Sequence, residues 1–556
     1  MCQAVLNRSI QNQVKIHTVL PTAPQTHSAS LDDHVTLPCE LVVPFGYDVA
    51  SYSDWAKFLV EQDGWPQGQG CVESLAPLPG DVRDFMAGFL SLLGKMAQLG
   101  RMPVFDPIRV TALETLDPQV QRYRFQICIP AVHHLDLNAY WHVVNASIDL
   151  SRWIAIHPPT PPNRDLAWKA VTQEIMAPLH KIVPGGKSTI PVLQAAHQLG
   201  IPLFHLGLGS YQLGWGSKSR RMSRSMTGAD SQIGSNLAQN KVVTANVLRA
   251  AGLPAPEHAV VSTSQEAITA ATRLGFPIVV KPTNMDRGEG VTVDVMDTDA
   301  LIKAFAYAQQ RTKSKPVIVE RQVLGVCHRL FVVCGQLLYA VKRMPMGVFG
   351  DGQQTVAQLV RHQLLAESEK PPWSRSEIQP IDDLAMAALS QAKRSPDTIA
   401  GHREFVALRR IESTQWGGVD VDVTTIVHPE NISAALEAAK LFGLQVAGID
   451  MISSDISQPW HANLAIINEV NSAPLLGGAE ISRSYLPAFF AALMEGDGKI
   501  PIEIFQTEGQ AREFQKQQSM QGRQCYLTWA TKTVDGLGAD VAMPFKQLAQ
   551  RVSSLV

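Results

Sequence analysis

The chain has 556 residues with a formal net charge of -2, an apolar content of 45% and a charged content of 18%. This composition is typical of a globular protein of several domains, and it lacks the surplus of lysine and arginine that a dedicated nucleic-acid binder needs. No apolar run is long enough to cross a bilayer and no secretion signal opens the sequence, so we expect cytoplasmic residence with neither a nucleic-acid nor a membrane partner.

The first third of the sequence predicts a separate α/β domain, which we place at residues 1–160. Apolar residues recur at helical spacing from Ala87 onward, and the pattern from Arg122 to Ile129 predicts a strand. The proline-rich run 158–162 predicts an extended linker, because proline has no backbone donor for regular structure. Helical patterns with a strand after them then predict a further subdomain at residues 165–240.

A buried strand followed by a polar loop is the most informative stretch of the chain. Residues 278–280 are apolar and β-branched, and they deliver Lys281 to the start of the loop. Gly288 and Gly290 in this loop allow close approach of the backbone and offer N–H groups to an anion. The stretch therefore predicts a phosphate site, and the alternative is an ordinary β-hairpin with a surface lysine.

Further strands carry charged residues to their ends. A buried strand from Val317 ends in the carboxylate of Glu320, and a strand pair around Gly335 ends at Lys342 and Arg343. Residues 350–403 are polar and helical, with a Pro-Pro-Trp break, and this predicts a mobile insert rather than core.

The last two strands predict a metal site. Asp450 ends one strand, and Glu469 and Asn471 lie two residues apart on the next, so that both face the same side. Buried carboxylates are costly unless a cation or donor compensates them, and Mg²⁺ prefers a few carboxylate and amide oxygens. The alternative is a pair of strand-end carboxylates hydrogen-bonded to turns.

The order of these features resembles the ATP-grasp ligases, and within them the ligase half of the cyanophycin synthetase family. The shared order runs through Lys241, Lys281, Glu320, Arg329, Lys342-Arg343, Asp450 and Glu469-Val-Asn471. Further matches are Tyr211-Gln-Leu-Gly-Trp-Gly-Ser-Lys-Ser-Arg-Arg, Glu320-Arg-Gln-Val-Leu-Gly and Gly417-Gly-Val-Asp-Val-Asp-Val. The resemblance covers roughly residues 165–500.

The resemblance implies an α/β (α+β) fold built around an ATP-grasp domain at residues 241–503. Residues 350–403 would then form its helical lid insert, and residues 165–240 a subdomain that precedes it. The N-terminal α/β domain stays separate, and residues 504–556 form a C-terminal tail without a counterpart. The matches include one ligase site and no Mur-ligase-like half, so we expect one active site.

The resemblance also assigns roles to residues. The nucleotide would contact Lys241, Lys281, Thr283, Arg287, Gly288, Gly290 and, at its ribose or adenine end, Glu320. The substrate carboxylate and the developing acyl phosphate would contact Arg329, Arg410 and Lys342. One or two Mg²⁺ ions would be held by Asp450, Glu469 and Asn471.

The implied reaction is ATP-dependent joining of an amino-acid or peptide carboxylate to an amine through an acyl phosphate, in a homo-oligomer (dimer or tetramer). Some positions depart from the family: Met285 and Glu289 alter the loop, and Asn236 and Asn240 replace acidic residues, which suggests an acceptor other than the usual arginine-bearing peptide. Two alternatives stay open. One is a catalytically silent relative that acts as a binding or assembly subunit, and the other is an ATP-grasp phosphotransferase or carboxylase-type enzyme.

Overall fold

A computed structural model describes residues 34–61, 75, 78–283, 290–312, 316–370, 375, 380–409, 418–501, 503–523, 525–529, 532–534 and 540–541. The chain divides into two compact units: unit 1 consists of Met1–Gly186 and Pro345–Val419, and unit 2 of Lys187–Met344 and Asp420–Val556. Helices and strands are mixed in both, as expected from the sequence. Within the described residues, no helix is both long and apolar enough to cross a membrane.

The first stretch of unit 1 is a three-stranded antiparallel sheet packed against helices. Its strands are β1 (His34–Val42), β2 (Arg109–Asp117) and β3 (Arg122–Pro130), in the order β1-β3-β2. Its helices are α1 (Val49–Leu59), α2 (Gly80–Leu99), α3 (Leu137–Ala155), α4 (Pro161–Ala170) and α5 (Ala177–Ile182), with a π-helical turn at Val171–Met176 between the last two. Buried aromatic side chains such as Trp55, Phe85 and Phe125 fill the core between sheet and helices.

The proline-rich run does not form the extended linker that the sequence predicts. Pro161 and Pro162 begin helix α4, after Thr160 at the N-cap. The reason is that the first turn of a helix has no use for the backbone donor that proline lacks, and the fixed φ of proline already suits this position. Proline therefore starts a helix here instead of preventing one.

The second stretch of unit 1, residues 345–419, forms a small core of its own. Strands β14 (Gly347–Phe349) and β15 (Phe405–Ala407) pair, and helices α11 (Val356–Glu369) and α12 (Asp383–Gln391) cover them. This stretch is bound to the first one through Arg164, whose Nη1 lies 3.1 Å from Glu369 Oε2. The guanidinium groups of Arg164 and Arg375 both lie over the buried ring of Phe58, at 5.2 and 5.5 Å.

Unit 2 contains two sheets that carry the candidate site. The first, in the order β10-β9-β11-β8, has strands β8 (His258–Val261), β9 (Ile278–Pro282), β10 (Thr292–Val295) and β11 (Val317–Arg321). The second, in the order β16-β13-β12-β17-β18, has strands β12 (Val326–Val333), β13 (Gln336–Met344), β16 (Val419–Asp422), β17 (Val446–Ser453) and β18 (Ile466–Ser472). A third sheet joins β4 (Leu203–Gly207), β5 (Ser210–Leu213), β6 (Arg220–Ser223) and β7 (Met226–Thr227), and a fourth β19 (Leu527–Trp529), β20 (Lys532–Val534) and β21 (Asp540–Val541).

Helices cover one face of each of the two site-bearing sheets. Helices α9 (Ser264–Leu274) and α10 (Thr298–Thr312) pack on the first, and α13 (Pro429–Leu441) on the second. The remaining helices of unit 2 are α6 (Thr189–Gln198), α7 (Gln232–Ala238), α8 (Lys241–Ala250), α14 (Trp460–Asn463), α15 (Glu480–Ser484), α16 (Leu486–Leu493) and α17 (Glu508–Met520). Because the helices occupy one face, polar side chains on the opposite face are left for a site.

Candidate active site

Three of the predicted site residues lie in one row across three neighbouring strands. In the antiparallel register, Arg329 of β12 is the partner of Asp450 of β17, and Asp450 is the partner of Glu469 of β18. Directly opposed residues in a sheet project to the same face, with their Cβ atoms about 5 Å apart. The register therefore brings together side chains that are 140 positions apart at most along the chain, from Arg329 to Glu469.

Arg329 and Asp450 form a bidentate ion pair within this row. Arg329 Nε donates to Asp450 Oδ1 and Nη2 donates to Oδ2, both at 2.7 Å. The Asp450 side chain is only 4% exposed, and Arg343 Nη1 lies 3.8 Å from its Oδ2. Burial by itself would lower the pKa of Arg329, but the paired carboxylate of Asp450 outweighs it, so that this pKa lies above its ordinary value.

Asn471 completes the predicted metal-binding set. Its Nδ2 donates to Asp450 Oδ2 at 3.3 Å and to the carbonyl oxygen of Gly448 at the same distance. Among the residues that the structure describes, no three His, Cys, Asp or Glu side chains converge as metal ligands. The set formed by Asp450, Glu469 and Asn471 holds two carboxylates and one amide, a collection of oxygen donors that fits Mg²⁺ and not a softer metal.

A β-bulge in strand β18 adds a residue that the sequence does not reveal. The register shifts between the pairs Asp450↔Glu469 and Met451↔Ile467, which leaves Asn468 as the extra residue. Asn468 Oδ1 accepts a hydrogen bond from Lys281 Nζ at 3.4 Å. The bulge therefore links the second sheet to the lysine of the first.

Lys281 forms a buried ion pair with Glu320, which is also predicted to contact the nucleotide. Its Nζ lies 2.7 Å from Glu320 Oε1, and the two side chains are 10% and 9% exposed. In the register of β9 with β11, Lys281 faces Ile318, so Glu320 lies two residues farther along the partner strand on the same face. The predicted phosphate-binding lysine is thus held by a carboxylate in this structure.

Lys241, at the start of helix α8, lies beside the same two strands, β9 and β18. Asn240 caps this helix by accepting from the backbone N–H groups of Val242 and Val243, which fixes Lys241 at the first helical position. Lys241 Nζ lies 3.7 Å from Glu469 Oε1. A narrow pocket is lined by Lys241, Val242, Ala245, Pro256, His258, Lys281, Ile318, Glu320 and Asn468.

Lys342 is not part of this constellation. It is the partner of His328 in the β12–β13 register, and residues of that parity, such as Leu330 and Ala340, pack in the core beneath helix α13. Burial and, second, the charge of Lys342 lower the pKa of His328, which places the two side chains near each other. Arg343, one residue later, alternates to the face of Arg329 and approaches Asp450.

The predicted residues of the phosphate loop are described in part. Thr283 Oγ1 donates to the carbonyl oxygen of Pro316 at 3.0 Å, and Gly290 adopts a φ of +74°. A Cβ on Gly290 would lie 2.7 Å from Pro282 Cγ, so only glycine fits there without movement. Arg287, Gly288 and Arg410 lie outside the described residues.

Comparison with known proteins identifies the part of the chain that carries the first of these sheets. Residues 234–326 match the family model described as an ATP-grasp domain. The fold is of the ATP-grasp type. The matched range includes Lys241, Lys281 and Glu320, and it ends before the row formed by Arg329, Asp450 and Glu469.

Curated relatives match a longer part of this chain. It is 31% identical to cyanophycin synthetase of Trichormus variabilis over 328 residues, which is 57% of this chain and 36% of the relative. It is 30% identical to the glutathione biosynthesis bifunctional protein of Mannheimia succiniciproducens over 261 residues, or 45% of this chain and 34% of the relative. The matches therefore span about a third of the length of these relatives.

Among solved structures, this chain is similar to a bifunctional glutathione synthetase from Pasteurella multocida. The superposition covers 72% of this chain and 70% of that chain, with 18% sequence identity and a TM-score of 0.43.

Proposed function

We propose that the protein is an ATP- and Mg²⁺-dependent carboxylate–amine ligase that joins amino acids or extends a short peptide. The observation that carries the proposal is that two lysines, one from helix α8 and one from strand β9, meet at oxygen donors of β18. Lys241 Nζ lies 3.7 Å from Glu469, and Lys281 Nζ lies 3.4 Å from Asn468. The similarity to cyanophycin synthetase and to the glutathione biosynthesis protein supports the same class of reaction.

The nucleotide would be held between the two lysines and the loop after β9. Lys241 and Lys281 carry the positive charge that ATP phosphates need, and Thr283 and Gly290 lie at the two ends of the loop that follows Lys281. Because Lys281 is paired with Glu320, a bound phosphate would share this ammonium group with the carboxylate. Glu320 would then also accept hydrogen bonds from the ribose or adenine end.

Asp450, Glu469 and Asn471 would hold Mg²⁺, and two ions are compatible with their oxygen donors. When bound, the ion neutralises charge on the phosphates during transfer of the terminal phosphoryl group. Asp450 is already neutralised by Arg329, so a cation there would share the carboxylate with the guanidinium. The neighbouring Glu469 is 33% exposed, and Lys241, which lines the pocket, lies 3.7 Å from it.

Arg329 would stabilise the charge that develops on the reacting substrate. A substrate carboxylate oxygen attacks the terminal phosphorus of ATP, which releases ADP and gives an acyl phosphate. The amine nitrogen then attacks the acyl carbon, phosphate leaves, and the nitrogen loses a proton. Arg329 and its neighbour Arg343 supply fixed positive charge for both steps, and Arg410 is a third candidate for this role.

A panel of amino acids tests this proposal. The full chain is incubated with Mg²⁺, ATP and pairs of amino acids, and ADP release is measured together with the mass of the products. Replacing the amine by hydroxylamine should give a hydroxamate, which reports the acyl phosphate directly. A catalytically silent relative releases no ADP with any mixture, and a phosphotransferase or carboxylase-type enzyme gives no hydroxamate.

A further inference from the structure

The carboxylate of Asp420 is half-buried, and it has no role in the proposed binding of nucleotide or metal. It lies in strand β16, the edge strand next to β13. The backbone N–H of Val423 donates to the carbonyl oxygen of Ala340 at 2.9 Å, and Thr424 Oγ1 accepts from the N–H of Ala340. These contacts fix β16 beside the strand that carries Arg343.

A chain of side-chain contacts identifies the face of the sheet on which this edge strand presents its carboxylates. Asp422 Oδ2 accepts a hydrogen bond from Tyr485 at 2.9 Å. The ring of Tyr485 stacks on Tyr339, with centroids 5.0 Å apart, and Tyr339 stacks on Phe331 at 5.1 Å. Phe331 lies two residues after Arg329 on β12, so Asp422 is on the face that carries Arg329.

Asp420 shares that face, because it lies two residues before Asp422 on an extended chain. Within the described part of the chain, its carboxylate has no hydrogen bond and no ion pair within 4 Å. Burial raises the pKa of Asp420, and the charges of Arg343 and Arg329 oppose this shift. The carboxylate therefore lies on the face of Arg329, within electrostatic reach of Arg343 and Arg329, without a direct partner.

We propose that Asp420 binds the amino group of the acceptor substrate, an inference that rests on the ligase function proposed above. An unpartnered, half-buried carboxylate gains most from a cationic or N–H donor, and an amino acid or peptide brings one to this site. Arg343 lies on β13, between the strand of Asp420 and the strand of Asp450, and its positive charge acts on both carboxylates. It separates the carboxylate for the amine from the carboxylate for the metal.

The position suits the second step of the reaction. The amine nitrogen forms a bond to the acyl carbon while the bond from that carbon to the phosphate oxygen breaks. Phosphate leaves with the electron pair, and the proton lost from nitrogen passes to solvent. Asp420 holds and orients the amino group before attack, and it takes no part in forming the acyl phosphate.

Asp420→Asn in the full chain tests the assignment, with Asp422→Asn as the matched control. The control substitution removes the same charge from the same strand. The Asp422 carboxylate, however, already accepts hydrogen bonds from Thr424 and Tyr485. The twenty standard amino acids are each offered as acceptor, and hydroxylamine serves as an uncharged nucleophile. Asp420→Asn should raise the KM of the acceptor about 10- to 100-fold, as expected for a lost charged hydrogen bond, and leave hydroxamate formation unchanged. Asp422→Asn should change neither value.

Asp420→Glu keeps the charge and should restore part of the acceptor affinity, which separates a binding role from a structural one. An unchanged acceptor KM in Asp420→Asn would overturn the assignment, as would an equal rise in Asp422→Asn or a parallel fall in hydroxamate formation. Failure of the wild type to form either amide or hydroxamate has a different meaning: it refutes the ligase proposal itself, and the role of Asp420 with it.

Discussion

Arg329 and Asp450 face each other across β12 and β17 and are joined by two hydrogen bonds of 2.7 Å. Each group compensates the other, since the Asp450 side chain is 4% exposed and its partner lies beside it in the sheet. Removing one member of such a buried pair costs about 3–5 kcal/mol, because the other charge stays buried without a partner. Asp450 is therefore a structural residue as well as a proposed metal ligand.

This double role predicts different outcomes at the two carboxylates. Glu469→Gln should lower turnover by about two orders of magnitude, since it removes a charge proposed to hold Mg²⁺, and leave the unfolding temperature almost unchanged. Asp450→Asn should lower both turnover and unfolding temperature. ADP release against Mg²⁺ concentration and thermal unfolding measure the two effects. Glu437→Gln, on the exposed side of α13, is the control. Full activity in both site variants would rule out the metal assignment.

The ion pair between Lys281 and Glu320 predicts a rescue of stability without a rescue of activity. Lys281→Met should lower the free energy of unfolding by about 3–5 kcal/mol, because Glu320 is left buried and unpaired. Combining it with Glu320→Met should recover most of that loss. Both variants should have a KM for ATP above that of the wild type, because both lack the ammonium group proposed to bind the phosphates. Denaturant unfolding and ADP release provide the measurements. A double variant with the wild-type KM for ATP would show that Lys281 does not contact the nucleotide.

At Asp420, the substitution that is expected to weaken acceptor binding should raise the stability of the fold. Burial raises its pKa in the folded chain, so the folded state holds the proton more tightly than the unfolded state. The associated stability is complete below the unfolded pKa of about 3.9 and is lost as the pH rises through the higher folded pKa. Asp420→Asn should therefore unfold at a higher temperature than the wild type at pH 7, with no difference near pH 3.5. The exposed Asp397→Asn should show no such pH-dependent gain, and a gain of equal size there would contradict the explanation.

Two glycines with the same backbone conformation predict different costs of substitution. Gly290 and Gly335 both have a φ of +74°, but a Cβ would meet Pro282 at 2.7 Å in the first and no atom within 4 Å in the second. Gly335→Ala should cost about 1–2 kcal/mol from the left-handed conformation alone. Gly290→Ala should cost more. It should also raise the KM for ATP, because Gly290 is the last residue of the loop that follows Lys281. Equal costs in denaturant unfolding would show that the loop gives way without strain.

The sequence predicts the strands better than it predicts where their charged residues lie along them and which face those residues occupy. Lys281, Glu320, Asp450 and Glu469 all lie on strands, because apolar runs bounded by polar residues are visible locally. The prediction that Asp450 ends its strand is wrong, since β17 continues to Ser453, and Glu469 likewise lies inside β18, which continues to Ser472. Lys342 and Arg343 are adjacent, and only the register of β13 against β12 decides that Arg343 faces Asp450. Register depends on contacts between distant residues, so the sequence alone does not provide it.

Two further residues illustrate what sequence patterns leave out. Asn468 reaches Lys281 because a bulge interrupts the alternation of β18, and a bulge has no reliable local signal. Asp420 belongs to a run in which acidic residues alternate with valine, and this period of two does predict that Asp420 and Asp422 share a face. The pattern does not reveal that Asp422 is engaged by Tyr485 while Asp420 is not.

Unit 1 is discontinuous, and this affects how the protein is made and how it is best divided. Glu369, which pairs with Arg164, follows it by 205 positions, so the ribosome completes the first stretch well before its partner exists. A recombinant fragment that stops at Gly186 would also lose Arg375 from above Phe58. A soluble truncation of the N-terminal region should therefore splice Pro345–Val419 onto Met1–Gly186 and not simply stop at the first boundary.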